Sequence, residues 1–332
     1  MTSVVVALQS QPSELLPVIV EVLPRVARIA LLIAVGVFLA NLAVGFGVVE
    51  RVAGLSRFLT SPANLPDEVG TAILTTAAST TAGYGMLAEF RESGMLDDRA
   101  TLVAVTINTF FGFVQHIFTF YLPIMIPLLG LHVGLLYVGS RALIALSITI
   151  TGIVAGALLL SSSNVDRSAT AAADGGARDA GSNNPREVVH YAWDRTLPKL
   201  RRIVPRLAVV YTLVVVLTRT TDLTALTEVA DPLATVVGLP GAAIPVIAVF
   251  ALDTTAGAAT IAPLVGDVFT PRTAVVTMLL GGIISFAVST FKRSIPFQYG
   301  IWGAEFGSKV IVVNTVLKMV WIGVAVGVLL AV

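Results

Sequence analysis

Thr80-Thr81-Ala82-Gly83 returns later in the chain as Thr254-Thr255-Ala256-Gly257, a spacing of 174 residues. The same spacing relates Leu23-Pro24 to Leu197-Pro198, Arg28 to Arg202, and Leu65-Pro66 to Leu239-Pro240. Several anchors in one gap-free register mark two copies of one unit. In each copy an apolar segment is interrupted by small hydroxylated residues and glycine.

The composition sets the surroundings. Apolar residues make up 56% of the 332, charged residues 12%, and the mean hydropathy is +0.90. A soluble domain carries about 25% charged residues. Ile29–Val49, Ala142–Leu160 and Val310–Val332 approach or reach the roughly 20 apolar residues that span a bilayer. These features predict an all-α, multi-pass protein of the cell membrane. The formal net charge of +1 is close to balance and points to no nucleic-acid partner. With no cysteine, disulfides, thiolate nucleophiles and cysteine metal sites are excluded. Met1 to Ser13 lacks a basic n-region and a cleavage site, so no signal peptide is expected.

Outward from the repeated tetrapeptide, Pro66 starts an apolar half-helix too short to cross, and Ser79 to Gly85 breaks it. A returning arm then turns polar through Glu89, Arg91, Glu92, Asp97 and Asp98. This pattern predicts a re-entrant hairpin, tolerated at membrane depth only where it is buried in protein or lines a wet cavity. Pro240 starts the second hairpin, with its tip at Asp253–Gly257 and a return to about Phe269. Spanning helices are expected at about 25–47, 99–121, 132–160 and 202–219, and over the C-terminal run. Interfacial pieces are expected at 49–60 and 224–236. Pro123 and Pro296 interrupt their helices. Gly152 and Gly156, echoed by Gly323 and Gly327, offer small-residue faces for close helix contact.

The organisation that follows is a lead-in (1–22), a first unit (23–160), a linker with a basic segment (161–196) and a second unit (197–332). Residues 186–206 are rich in Arg and Lys and read as a basic amphipathic helix on the membrane surface. Three crossings plus one hairpin turn the second unit upside down, the architecture of many secondary transporters. The Lys/Arg excess places linker 161–200 in the cytoplasm, although Arg25 and Arg28 pull weakly the other way.

On the paired Leu-Pro starts, the two Thr-Thr-Ala-Gly tips and the proline-broken helices ending Phe118–Pro123 and Phe291–Pro296, the chain resembles the Gate, or nucleoside-recognition, domain family. That family includes the concentrative nucleoside transporters, the membrane part of ferrous-iron transport protein B, and the spore maturation proteins A and B. The resemblance covers residues 23–160 and 197–332 and implies two inverted units, each with three crossings, an interfacial helix and a re-entrant hairpin. The chain departs from the iron transporter in having neither G-x-x-x-x-G-K-[ST] nor a cysteine. It departs from the nucleoside transporters in its tips, which are mostly threonine with one acid, Asp253.

The candidate solute site comprises Ser79, Thr80, Thr81 and Gly83 at the first tip and Asp253, Thr254, Thr255 and Gly257 at the second. Asn108, Gln115 and His116 join it from the helix before Pro123, and Ser289, Lys292 and Arg293 from the helix before Pro296. The amides that open each returning half-helix favour anions. The alternative is that the threonines merely cap those helices. Asp253 is either a proton, cation or substrate contact or the partner of Lys292 or Arg293; an unpaired carboxylate there costs about 2.5–3.5 kcal/mol. Lys292 and Arg293 form either an anion clamp or an ordinary cationic flank. Asn108 and Gln115, seven apart, share a helical face and bond either solute or neighbouring helices. Arg141 and Lys318 are assigned to snorkelling or acid pairing.

The expected function is a permease for a small polar or anionic solute, nucleoside-like solutes included, working by alternating access. No cofactor is expected, and a proton or sodium ion as coupling ion and a homo-oligomer are left open. The alternative is a non-transporting membrane partner of the spore-maturation type, binding a protein or anionic lipid through its basic helix. Enzymatic activity is not expected, since no acid/base pair or metal constellation stands out.

Overall fold

The computed structural model describes residues 59–166, 185–220, 237–290 and 294–331, with Ala234 and part of the stretch between Val20 and Leu42. Among them the fold is all-α, with two isolated bridges and no strand. Helix α1 (Asp67–Ala78) carries Asp67 and Glu68 in its first turn, where carboxylates complement the helix dipole. It is followed by α2 (Thr80–Glu92), α3 (Asp98–Ile107), α4 (Thr109–His116) and a π-wound stretch (Ile117–Met125). Next come α5 (Ile126–Leu129), α6 (Leu131–Leu159) and α7 (Pro185–Thr220). The order closes with α8 (Ala243–Leu252), α9 (Thr254–Ile261), α10 (Pro271–Ser289) and α11 (Ile295–Ala331). Among the described residues three stretches are long and apolar enough to cross a membrane: Asp98–Leu129, Leu131–Leu159 and Ile295–Ala331, of 32, 29 and 37 residues.

Each hairpin tip is narrower than the sequence predicts. Only Ser79 (φ −145°, ψ 107°) separates α1 from α2, and only Asp253 (φ −148°, ψ 117°) separates α8 from α9. The threonines and glycines after them are already helical. The returning arm of the second hairpin stops at Ile261 and passes into a 3-10 turn, Ala262–Leu264, well short of Phe269. Pro123 does not end its helix. It sits inside the π-wound stretch, where the hydrogen bonds have already shifted and the Ile126 N–H donates to the Tyr121 carbonyl. Thr290 and Ser294, before Pro296, are π-wound as well. The basic segment and the expected 202–219 span form one helix, α7, with Pro198 and Pro205 inside it. The expected 25–47 span, both interfacial pieces and most of the linker lie largely outside the described residues.

Backbone features recur at 173 or 174 residues. Asn64 and Gly238 both take positive φ (56° and 69°), and Leu65 and Leu239 N–H donate to Thr60 and Ala234 O at 3.1 and 3.0 Å. Gly130 (79°, 164°) turns the chain between α5 and α6, and Gly303 (74°, 168°) does so within α11. Both glycines hold a φ that a side chain rarely adopts.

Two apolar cores hold these helices, and each borrows from the other half of the chain. The first packs α1 to α4 and is completed by Trp302, Phe306 and Val310 of α11. The second packs α8 to α10 and is completed by Leu129, Val133 and Tyr137 of α5 and α6. Beyond both cores, α6 and α11 expose apolar rows: Leu135, Leu143, Ile150, Val154 and Leu158 on one, Val312, Val316, Val320, Val324 and Val328 on the other. Gly152 and Gly156 fit the close-contact expectation, since added methyls would lie 2.9 Å from Ile107 N and 2.7 Å from Ala63 O. Gly323 and Gly327 do not, having no described atom within 4 Å of that position.

The hairpins close on glycine. A Cβ on Gly257 would lie 2.4 Å from the Phe250 backbone, and one on Gly83 would lie 2.7 Å from Ala72 O. Gly85 has open space there. Gly257→Ala and Gly83→Ala should each cost about 1–3 kcal/mol by overpacking, whereas Gly85→Ala should not destabilise. Thermal unfolding of the purified variants checks this, and a Gly257→Ala protein as stable as wild type would refute the packing.

Candidate functional site

One cavity of about 270 Å³ lies between the two halves of the chain. The first half contributes Thr80 and Tyr84 from α2, Asn108, Thr109, Gly112, Phe113 and His116 around α3 and α4, Tyr121, and Arg141 from α6. The second half contributes Phe286 from α10 and Ser294, Gln298, Asn314 and Lys318 from the stretch leading into and along α11. Several of these occupy positions 173 apart in the sequence: Phe113 and Phe286, Tyr121 and Ser294, and Arg141 and Asn314.

The cavity exists because the α3–α4 helix bends at Asn108. Thr149 of α6 stabilises that bend. Its hydroxyl donates to Ile107 O at 2.8 Å and accepts from Phe110 N–H at 3.1 Å, replacing helical bonds with a side chain. The Asn108 side chain is left at the cavity wall, 1% exposed, with neither amide atom hydrogen-bonded. A buried orphan amide costs about 1–3 kcal/mol, so a hydrogen-bonding group in the cavity, water included, would lower that cost. Around it, Thr80 Oγ1 donates to Gln115 Oε1 at 2.6 Å, and Trp302 Nε1 donates to Gln298 Oε1 at 2.7 Å. The latter bond turns the Gln298 amide nitrogen away from Trp302. Thr109 Oγ1 lies 3.5 Å from Asn314 Oδ1, across the two halves. His116, exposed at the rim, holds Nδ1 2.9 Å from Gly112 O, the geometry of a donated Nδ1–H.

The charge in the cavity is cationic. No Asp or Glu is among the described lining residues. Arg141 lies beside the Tyr121 hydroxyl, and Lys318 Nζ sits 4.4 Å over the Phe286 ring. Among the described residues neither cation is in an ion pair. A methyl on Gly282 would lie 3.6 Å from Arg141 Nη1, so the guanidinium rests on α10 one turn before Phe286. Gly282 and Phe286 lie one turn apart on the same face of α10, so both cations flank that face, where like charges repel and an anion between them relieves the repulsion.

Of the residues singled out in the sequence, Thr80, Asn108 and His116 line the cavity, and Gln115 is bonded to Thr80. Ser79, Thr81 and Gly83 lie beside it in the first hairpin but are not lining residues. The second tip, Asp253, Thr254, Thr255 and Gly257, is not among them either; α9 packs chiefly on α7, α8, α10 and α5. The caps of the returning helices are Ser79 and Asp253 rather than threonines. Ser79 Oγ accepts from Ala82 N–H at 3.3 Å, and Asp253 Oδ1 accepts from Ala256 N–H at 2.8 Å. Lys292 and Arg293, and the side chain of Ser289, lie outside the described residues. The cations that do reach the cavity, Arg141 and Lys318, had been assigned to snorkelling or acid pairing. Their counterparts 173 residues away are Asn314 and Ala145, all four at the cavity wall. That register was the signal that could have found them.

No protein-family profile matches the chain, and no solved structure gives a significant match. The chain is similar to "Uncharacterized protein MJ0871" of Methanocaldococcus jannaschii, 24% identical over 302 residues, 88% of this chain and 89% of the relative. It is also similar to "Uncharacterized protein MJ0880" of the same organism, 23% identical over 307 residues, 90% of this chain and 95% of the relative. A third, "Uncharacterized protein MJ1556", is 26% identical over 106 residues, about a third of each chain.

Two measurements test the local account. Asp253→Asn, which still caps α9, should leave thermal stability near wild type, while Asp253→Ala should lose about 1 kcal/mol; equal losses would show that charge, not capping, matters there. Thr149→Val should cost about 1–3 kcal/mol by orphaning Ile107 C=O and Phe110 N–H, and Thr149→Ser should restore it in the same unfolding experiment.

Proposed function

We propose that the chain is a multi-pass membrane protein built as two inverted repeats, with the Gate-domain architecture, and that it carries a small polar or anionic solute across the membrane. Support for the membrane setting comes from the three long apolar stretches and the exposed apolar rows on α6 and α11, a surface that water does not favour. Support for the repeats comes from the interrupted helices and positive-φ turns that recur 173–174 residues apart. In such repeats, solute sites form where broken helices from the two halves meet.

The observation that carries the reading is the cavity itself. It is walled by both halves and lined by polar groups, among which the buried Asn108 amide has no hydrogen-bond partner among the described residues. Polar groups buried for structure alone are hydrogen-bonded to other parts of the protein. A rocking motion of α1 and α2 with α3 and α4 against α10 and α11 exposes such a cavity alternately to either side.

Uptake of radiolabelled phosphate, succinate and uridine into proteoliposomes tests the proposal. At least one should accumulate above protein-free vesicles, and Asn108→Ala should slow its initial rate about tenfold or more. The same variant should unfold no more easily than wild type, because it removes an orphaned amide rather than a made bond. Uptake of none of the three, with a soluble protein retained on purification, would favour the non-transporting partner instead.

A further inference from the structure

We propose that Arg141 and Lys318 clamp a single oxyanion group, a phosphate or a carboxylate, inside the cavity. The inference rests on reading that cavity as the solute site and names the chemistry of what enters it. The two cations reach the cavity from different halves of the chain, α6 and α11, and meet over one face of α10. The guanidinium lies beside Gly282, where an added methyl would be 3.6 Å from Nη1, and the ammonium lies over the Phe286 ring. With those contacts one helical turn apart on α10, they can each reach one oxygen of the same group at charge-assisted distances of about 2.8 Å.

No described lining residue offers the opposite charge, which disfavours amines and metal ions and leaves an uncharged nucleoside without a counterpart for either cation. The Asn108 amide, buried and unbonded, supplies a further donor. The anion has two sources. A soluble anion enters through the cavity, whereas a lipid headgroup enters sideways. A neighbouring pocket of about 150 Å³ between α10 and α11 shares Phe286 and Lys318 with the cavity and runs out to Met319, which is exposed on the apolar surface.

The test is calorimetric titration of the purified full chain, in a detergent with a neutral headgroup and at constant ionic strength. The probes are inorganic phosphate, succinate and lysophosphatidic acid, with uridine and choline as the contrasting pair. At least one oxyanion should bind, with uridine and choline failing. Arg141→Gln and Lys318→Gln should each weaken that binding at least tenfold, and Arg272→Gln, at the exposed start of α10, should not. Where the neutral variants fail to fold, Arg141→Lys keeps the charge but loses the guanidinium fork and should still weaken binding at least threefold. No oxyanion binding, or binding that these variants leave unchanged, overturns the clamp. Phosphate or succinate as the better ligand assigns a soluble anion, and lysophosphatidic acid assigns a lipid. Binding is read without transport. An oxyanion that binds but never crosses therefore sinks the carrier reading alone, and uptake of uridine without oxyanion binding sinks the clamp alone.

Discussion

A helix that stops among apolar neighbours strands up to four amides at the start of whatever follows it. Both hairpins meet that constraint with one side chain each. Ser79 and Asp253 take an extended conformation for a single residue, and their oxygens accept the third amide of the returning helix. Hydroxyl and carboxylate do the same work, which is why the two positions differ in charge without differing in backbone. Because each cap occupies one residue, the returning helix starts at once and folds back tightly. That tightness explains Gly83 and Gly257, where the returning arm lies almost on the backbone of the outgoing one.

The cavity owes its existence to the other departures from regular winding. Asn108 bends one helix, the π-wound stretch carries Pro123 without a break, and Gly130 and Gly303 turn the chain ahead of the two long helices. Each departure pulls helices apart on one side while the glycine contacts at Gly152, Gly156 and Gly281 draw them together on another. The outcome is a gap at the boundary between halves, lined by the groups that the irregular turns release. At the start of α3 and in the first half of α11 the halves are joined differently. Asp98 accepts from Arg91 at 2.8 Å and from Lys309 at 3.1 Å, and the Arg91 guanidinium lies 4.1 Å over Phe306. These groups are partly exposed, so such pairs hold position more than they add stability.

The sequence was legible where residues have few alternatives. The tetrapeptide register located both interruptions, and Pro66, Asn64 and Gly238 punctuate the chain where their backbone preferences require. Asn108 stood out as an amide in an apolar run. Winding was harder to read, because a proline that breaks an α-helix is accommodated in a π turn, and sequence alone does not distinguish the two. Pro198 and Pro205 likewise sit inside one helix that composition divides into a basic and an apolar half. Arg141 and Lys318 were assigned to the wrong surroundings because an isolated cation in an apolar helix has a cheap escape to the interface. Only packing shows that α10, through Gly282 and Phe286, keeps both inside.

The exchange of side chains between the two apolar cores has a consequence for biosynthesis. The first core contains Trp302, Phe306 and Val310, residues that leave the ribosome long after α1 to α4, on which they pack. The first core must therefore wait, incomplete, until α11 arrives to close it. A nascent chain stalled before that point would hold a loosened hairpin and an unfilled seam, the kind of surface by which quality-control proteases recognise unfinished products.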